Sequence, residues 1–224
     1  MAIAYVGNKG SGTGTTSLGG VATIAPSSVV RAGDLLVMMV ATLAGVFPSN
    51  INDTQGNEWQ VDASLLNTSR VSICSSVLAF ELDPSDVISL GLGVSVAYDI
   101  DLEEFSGILS PAWEDAEATN SGIGTALDSG TTSATLQAAE LCVAAFAINS
   151  AEGSFVPAGG YSAFGIVSQT GLGLLAEYLI VAGMGTQHAT GTAGTTGTWA
   201  GAIATYRGGV AQPEERGPDA FLIR

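Results

Sequence analysis

The chain has 224 residues, of which 46% are hydrophobic and 12% are charged, and its formal net charge at pH 7 is −15. A chain of this length buries roughly 70% of its surface on folding, so a core forms without metal or disulfide staples. The excess of acidic residues excludes nucleic-acid binding, which depends chiefly on Lys and Arg that neutralise phosphates. Binding to anionic membrane surfaces is disfavoured for the same reason.

The opening residues MAIAYVGNKG lack a charged start followed by an apolar stretch. We therefore expect no signal peptide and no export by that route. No apolar run reaches the roughly 18 residues that a membrane-spanning helix needs. The glycine-rich stretch GSGTGTTS at 10–17 lacks the Lys-Ser/Thr ending of a P-loop, so we interpret it as a flexible loop without a phosphate site.

The spacing of turn residues predicts an all-β protein. Gly, Ser and Thr interrupt the sequence about every 8–12 residues, and short runs rich in Val, Ile, Leu, Phe and Tyr lie between them. This pattern is typical of an antiparallel β-sandwich, and we expect a jelly-roll-like one. We assign residues 1–209 to a single sandwich domain.

Several strands can be placed in chain order. Leu35–Leu43 is apolar on both faces, which predicts a central strand covered on both sides. DTQGNEW at 53–59 predicts a turn in which Gly56 and Asn57 take positive φ and Asp53 caps the turn. Further predicted strands are 70–82, with a bulge near Ser75 and Ser76, and then 94–102, 140–149, 174–183 and 199–206. The polar stretches 119–132 and 191–198 are predicted to be loops.

The sequence indicates two related halves. Asp34 followed by LLVMMVATL aligns with Glu140 followed by LCVAAFAIN, which pairs Leu35 with Leu141. Each half also closes on an aromatic residue, one further residue and a glycine, as F-S-G at 105–107 and Y-R-G at 206–208. We interpret this as a possible pseudo-repeat, with chance similarity between apolar strands as the alternative.

The last fifteen residues, VAQPEERGPDAFLIR at 210–224, depart from the strand pattern. Two prolines, three acids and an arginine precede the apolar group Ala220, Phe221, Leu222 and Ile223. Exposed apolar residues at this place are unfavourable in a monomer. We interpret the segment as an extended C-terminal arm that docks on a neighbouring subunit, with a terminal strand packed on its own domain as the alternative.

One strand offers a candidate catalytic group. In YDIDLEEF, Asp99, Asp101 and Glu103 project from one face about 7 Å apart, within the roughly 5–9.5 Å that separates glycosidase carboxyl pairs. The line resembles the E-x-D-x-E signature of laminarinase-type glycosidases, although Asp99 stands where their nucleophilic Glu would be. The competing interpretation is a solvated strand face. The same acids, helped by Asn52 and Asp53, could hold Ca²⁺ only if the fold brings them together.

The remaining reactive side chains give little support for catalysis or metal binding. His188 lies in a polar stretch and is predicted to be a surface residue. One histidine and two separated cysteines cannot form a zinc site of the usual kind. Cys74 and Cys142 both lie in apolar runs, which predicts buried free thiols; pairing requires that their strands face each other.

Three motifs together resemble a known family: V-x-A-G-D-L-L-V at 30–37, D-T-Q-G-N-E-W at 53–59 and E-E-F-S-G at 103–107. Their order resembles a β-sandwich family found in virion proteins of tailed bacteriophages, often labelled minor tail proteins. The resemblance implies a structural role at the tail or as capsid surface decoration. It also implies assembly in the host cytoplasm with other virion proteins. It carries no catalytic residue, metal or cofactor.

From the residues and the resemblance together, we expect a virion component that assembles as a symmetric homo-oligomer, with a trimer as the candidate state, through sandwich faces and the C-terminal arm. Two other functions remain open. One is a laminarinase-like glycoside hydrolase that uses Asp99, Asp101 and Glu103. The other is a carbohydrate-binding or adhesion module that recognises a glycan on the host surface.

Overall fold

The computed structural model describes residues 2–17, 19–44 and 46–209. The predicted C-terminal arm, 210–224, lies outside the described residues, so the arm and the domain boundary at 209 stay predictions. Within the described ranges the chain forms strands and turns, and no helix there has the length and hydrophobicity that crossing a membrane would need.

The first half of the chain contributes eight strands. In chain order they are β1 (Ala4–Thr15), β2 (Val21–Ile24), β3 (Leu35–Leu43), β4 (Ser49–Asp53), β5 (Gln60–Leu66), β6 (Ser69–Val77), β7 (Ile88–Gly91) and β8 (Ala97–Ser106). The second half contributes seven: β9 (Glu114–Thr131), β10 (Glu140–Ile148), β11 (Phe155–Pro157), β12 (Ser162–Ala163), β13 (Val167–Gln169), β14 (Leu172–Val181) and β15 (His188–Arg207).

These strands form three antiparallel sheets, which confirms the predicted all-β sandwich. The first sheet has the order β1-β8-β3-β6-β5. The second runs β11-β15-β10-β14-β12, with β9 paired to β15 and β13 paired to β14. A small third sheet has the order β2-β7-β4. This order establishes the sandwich but does not establish the jelly-roll connectivity.

The two large sheets repeat one strand order, as the paired sequences indicated. In each half the first strand (β1 or β9) pairs with the last (β8 or β15), which pairs with the central strand (β3 or β10). The register repeats as well, since Leu35 lies opposite Phe105 and the aligned Leu141 lies opposite Tyr206. The two closing motifs meet at a bridge between Ile108 and Gly208.

Three apolar layers hold the sheets together. The main layer lies between the two large sheets and includes Val37 of β3 and Val143 of β10. The second lies between the first large sheet and the small third sheet. The third covers the outer face of the second large sheet. Both central strands are therefore covered on two sides, which explains why their sequences are apolar throughout and confirms that prediction for β3.

Three stretches predicted as loops are strands. Residues 10–15 belong to β1, 119–131 to β9 and 191–198 to β15. Their Gly and Thr content suggested loops, but each pairs with a long neighbouring strand that satisfies its backbone hydrogen bonds. Gly122 shows why glycine is needed there: a Cβ at this position would lie 2.5 Å from Cζ2 of Trp199 on the paired strand.

The expected bulge lies on a neighbouring strand. β6 pairs with β3 without interruption from Val77 to Ser69, so there is no bulge at Ser75 or Ser76 in that ladder. The register shift falls instead on β5, between Val61 and Ala63. The change of phase in the β6 sequence reflects its two covered faces rather than an extra residue.

The turn after β4 is organised by Asp53, as predicted. Its Oδ1 atom accepts backbone N–H bonds from Gln55 (2.9 Å), Gly56 (2.8 Å) and Asn57 (3.2 Å). Its Oδ2 atom accepts the indole N–H of Trp59 at 2.8 Å. Gly56 has φ +80°, as expected, whereas Asn57 does not adopt positive φ.

We expect Asp53→Ala to lower the free energy of unfolding by about 2–3 kcal/mol, because several donors lose the buried Asp53 carboxylate as their acceptor. Urea denaturation measures this loss. Asp53→Asn, which keeps one side-chain oxygen in place, is the matched control and should lose less than half as much. An alanine variant as stable as the parent would contradict this account of the turn.

Candidate functional site

The candidate catalytic acids form a buried row along β8. Side chains alternate along this strand, so Ile100 and Leu102 face the small third sheet. Asp99, Asp101 and Glu103 face the second large sheet, and their exposed fractions are 0%, 1% and 0%. The interpretation of this row as a solvated face is therefore wrong. Residues of β13 and β14 pack over it, which no local pattern indicated.

Three side chains from other strands hold the carboxylate row. Asn8 of β1 donates from Nδ2 to Asp101 Oδ1 (2.8 Å) and to Glu103 Oε1 (2.9 Å). The Tyr5 hydroxyl donates to Glu103 Oε2 at 2.7 Å. Gln169 of β13 donates to Asp99 Oδ1 at 2.8 Å. The row thus joins the first sheet to the second.

Burial changes the ionisation of these acids. Desolvation raises the pKa of Asp99 to about 7, although the Gln169 hydrogen bond lowers it. Desolvation, and then the neighbouring Glu103 charge, raise the pKa of Asp101 to about 8. Desolvation also raises the pKa of Glu103, against the hydrogen bonds from Asn8 and Tyr5. Asp99 and Asp101 are therefore largely protonated below neutral pH. The three acids line none of the surface clefts described below.

An acidic cleft of about 340 Å³ lies where β5 meets the start of β9. Sequence analysis missed it, because its residues come from strands far apart in the chain. We call it the acidic cleft; its acids are Asp62, Glu114, Asp115 and Glu117. Desolvation raises the pKa of Glu114, and the neighbouring acids Glu117 and Asp115 raise it further.

Two contacts, one buried and one partly buried, stabilise the base of the acidic cleft. The Tyr206 hydroxyl donates to Asp62 Oδ2 at 2.8 Å, and desolvation raises the pKa of Asp62 to about 7. Arg207 Nε donates to Asp115 Oδ1 at 3.2 Å. Desolvation opposes ionisation of Asp115, but hydrogen bonds from Glu140 and a backbone N–H, together with the Arg207 charge, lower its pKa overall.

We expect Tyr206→Phe to lower the free energy of unfolding by about 1–3 kcal/mol, because the buried Oδ2 atom of Asp62 loses the Tyr206 hydroxyl and only the bond from Gln60 to Oδ1 is certain to remain. Thermal or urea denaturation measures the change. Tyr98→Phe is the matched control, since no hydrogen bond is seen from that hydroxyl among the described residues, and it should change stability by less than about 0.5 kcal/mol. Equal losses in the two variants would show that the Asp62 contact contributes nothing.

A second charged cleft, of about 440 Å³, surrounds the single lysine. Lys9 Nζ lies 2.8 Å from Glu104 Oε2 and donates to the backbone oxygen of Val29 at 2.9 Å. The backbone N–H of Arg31 donates to Glu104 Oε1 at 3.0 Å. Desolvation, and then Glu104, raise the pKa of Asp34 to about 6. Lys9 and Glu104 neutralise each other's charge, and their ion pair joins β1 to β8.

The other candidate residues have structural surroundings. His188 lies at the surface, as predicted, and its Nε2 atom is 3.0 Å from Asp128 Oδ1. Cys74 and Cys142 are buried free thiols, which confirms that prediction; they belong to different apolar layers on opposite outer faces of the two large sheets. Among residues 2–17, 19–44 and 46–209, no group of three His, Cys, Asp or Glu side chains is arranged to hold a metal ion.

A third cleft, of about 500 Å³, lies on the β9–β15 ribbon. Trp199 forms part of its wall, and its polar side chains include Asn120, Asp128 and Thr190.

Comparison with known proteins gives no relative from which a ligand for any of these clefts could be transferred: no family model, no curated protein and no solved structure matches the chain.

Proposed function

We propose that this chain is a structural component of a tailed-phage virion, at the tail or as capsid surface decoration, and that it acts by assembly. The observation that supports assembly over catalysis is the position of the carboxylate row. Asp99, Asp101 and Glu103 lie between two packed sheets and are bound by Asn8 and other neighbours. A polysaccharide could reach them only if the sheets separated. The resemblance of the first half to phage sandwich proteins supports the virion assignment.

The distribution of exposed apolar residues also supports an assembly role. The four large apolar side chains with the greatest exposure among the described residues all belong to the second half: Ile123 (80%), Leu136 (68%), Met184 (66%) and Val156 (65%). These side chains are available for contact with other proteins, as an assembly role requires. The long edge strand β9 has a strand partner only in β15 among the described residues, which leaves one side available for pairing.

The test of the virion assignment is mass spectrometry of purified particles produced from the genome that encodes this chain. We expect the chain among the particle proteins in several copies, and its absence would contradict the proposal. Light scattering of the purified protein tests self-assembly separately. We propose a homo-oligomer, with a trimer as the working assignment, and a monomer at every concentration would contradict it.

The hydrolase alternative has a direct assay. Release of reducing sugars from β-glucans by the purified protein would overturn the structural proposal, provided that Asp101→Asn and Glu103→Gln abolish it. We expect no release from the parent or from either variant, since the row is closed to solvent in the folded protein.

A second candidate function, glycan binding, is favoured by the third cleft. An aromatic wall with amide, carboxylate and hydroxyl groups beside it suits a ligand that has both apolar faces and many hydroxyls. A glycan array followed by calorimetry tests this, with Asn120→Ala expected to weaken any hit at least tenfold. Retention of full affinity in that variant would place the ligand elsewhere.

A further inference from the structure

A cleft of about 290 Å³, lined by both apolar and polar residues, lies beside the acidic cleft. One wall comes from the residues that follow β6, including Ala79 and Phe80. The other comes from the residues before β9, including Pro111 and Trp113. Phe80 is 58% exposed, which makes it the most exposed large apolar side chain of the first half among the described residues. We call this the Phe80–Trp113 cleft.

The Phe80–Trp113 cleft and the acidic cleft adjoin each other. Trp113 lines the first and the next residue, Glu114, lines the second. The chain entering β5 has the same arrangement: Glu58 lines the first cleft, and Gln60, the first residue of β5, lines the second. A single peptide could therefore lie across both clefts. It would need apolar side chains for the Phe80–Trp113 cleft and an adjacent cationic side chain for the acidic cleft.

The chain itself contains a peptide with that order. Outside the described residues, Ala220, Phe221, Leu222 and Ile223 are followed directly by Arg224. We propose that residues 220–224 of a second copy of this chain dock across the two clefts, with the apolar residues in the Phe80–Trp113 cleft and Arg224 in the acidic cleft. This inference rests on the proposed assembly role and names the partner surface for it.

Charge favours this occupant. The acidic cleft contains four acids, and the Arg207 guanidinium, which bonds to Asp115, is the cation seen there among the described residues. Desolvation raises the pKa of Glu114 and the charges of Glu117 and Asp115 raise it further; a second guanidinium would offset this repulsion between the acids. Arginine also suits carboxylates in particular, because its planar group can bond to two oxygens at once.

The position where the described chain stops favours a second copy over the chain's own segment. The backbone N–H of Arg207 donates to the Trp113 oxygen at 2.7 Å, so the final described residues already lie beside the chain's own cleft. Ten residues, 210–219, separate Gly209 from the docking peptide, and they include Pro213 and Pro218. Ten residues can span at most roughly 33–36 Å, a reach that includes the cleft of a neighbouring copy.

Disulfide trapping tests the contact. The double variant Phe80→Cys/Phe221→Cys should form covalent dimers and larger species on non-reducing gels, since the native Cys74 and Cys142 are buried. A mixture of the two single variants, one carrying a mass tag, should yield the mixed dimer. The matched control is Val156→Cys/Phe221→Cys, because Val156 is similarly exposed but lies on β11, which pairs with the opposite end of β15 from Arg207.

We expect at least tenfold more cross-linked dimer in the Phe80 variant than in the Val156 control. Equal yields would overturn the proposal, and so would a link formed only within one chain. A charge exchange checks the second cleft: Arg224→Glu should reduce the dimer yield at least fivefold, and Glu117→Arg in the same chain should restore it. Failure of both substitutions to change the yield would overturn the placement of Arg224.

The two levels of the proposal fail separately. Cross-linking without the chain in virus particles would contradict the virion role while leaving the contact intact. The chain in particles without specific cross-linking would contradict this docking and leave the virion role intact.

Discussion

Lys9→Met is expected to lower the free energy of unfolding by about 3–5 kcal/mol, because it leaves a buried carboxylate without its counter-ion. Lys9 and Glu104 have side chains that are 9% and 1% exposed. Lys9 Nζ also donates to Ser28 Oγ and to the Val29 backbone oxygen, and both acceptors lose that donor. Chemical denaturation measures the loss.

A second substitution separates the charge from the packing. In Lys9→Met/Glu104→Gln the buried negative charge is absent, and we expect at least half of the lost stability to return. Lys9→Arg keeps the cation and should be less destabilising than Lys9→Met. A loss below about 1 kcal/mol in the single methionine variant would show that the ion pair does not contribute as described.

The second large effect is a fall in stability as pH rises. Desolvation raises the pKa values of several buried acids, to about 7 for Asp62, Asp99 and Glu140 and to about 8 for Asp101 and Glu177. In the unfolded chain these groups ionise near pH 4. Between about pH 4 and 8 the folded state therefore holds more protons than the unfolded state, and stability decreases as pH rises.

Each unit of pKa difference corresponds to about 1.4 kcal/mol, so the loss between pH 5 and pH 8.5 should reach at least about 3 kcal/mol, or on the order of 10 °C in Tm. Below about pH 4 the trend reverses, because Asp86, Asp115 and Asp128 have lowered pKa values and their stabilising contribution is lost there. Calorimetry across this range measures both trends.

Glu177→Gln provides the control for this pH dependence. Neither carboxyl oxygen of Glu177 has a hydrogen-bond partner among the described residues, and burial alone raises the pKa of this carboxyl to about 8. The glutamine variant should be more stable than the parent at pH 8.5 and nearly equal to it at pH 5. A Tm that is constant or rising from pH 5 to pH 8.5 in the parent would contradict the buried ionisations.

Sequence reasoning succeeded where the pattern within one segment decides the structure. The apolar faces of Leu35–Leu43 predicted a strand covered on both sides, and all but its last residue are buried. The alignment of Leu35 with Leu141 predicted a repeat, which appears as one strand order in two sheets. The turn at Asp53 could be predicted because the donors that bond to its carboxylate within the turn lie at most six residues away in the chain.

Sequence reasoning failed where the deciding neighbour is distant in the chain. Alternation correctly placed Asp99, Asp101 and Glu103 on one face, but it could not show that a second sheet covers that face. The partners Asn8 and Asp101 are 93 positions apart, and Tyr206 and Asp62 are 144 apart. The same limit explains the strands mistaken for loops, since a Gly- and Thr-rich strand is specified by its pairing partner rather than by its own apolar residues.

Carboxyl labelling of the folded protein, read by mass spectrometry, tests most directly whether the acids of β8 are buried structural groups rather than reactive groups at a surface. With a water-soluble carbodiimide and an amine, we predict modification of the exposed Glu58 and Glu117 and none of Asp99, Asp101 or Glu103 until the protein unfolds. Modification of that row in the folded protein, at rates like those of Glu58 and Glu117, would contradict the account.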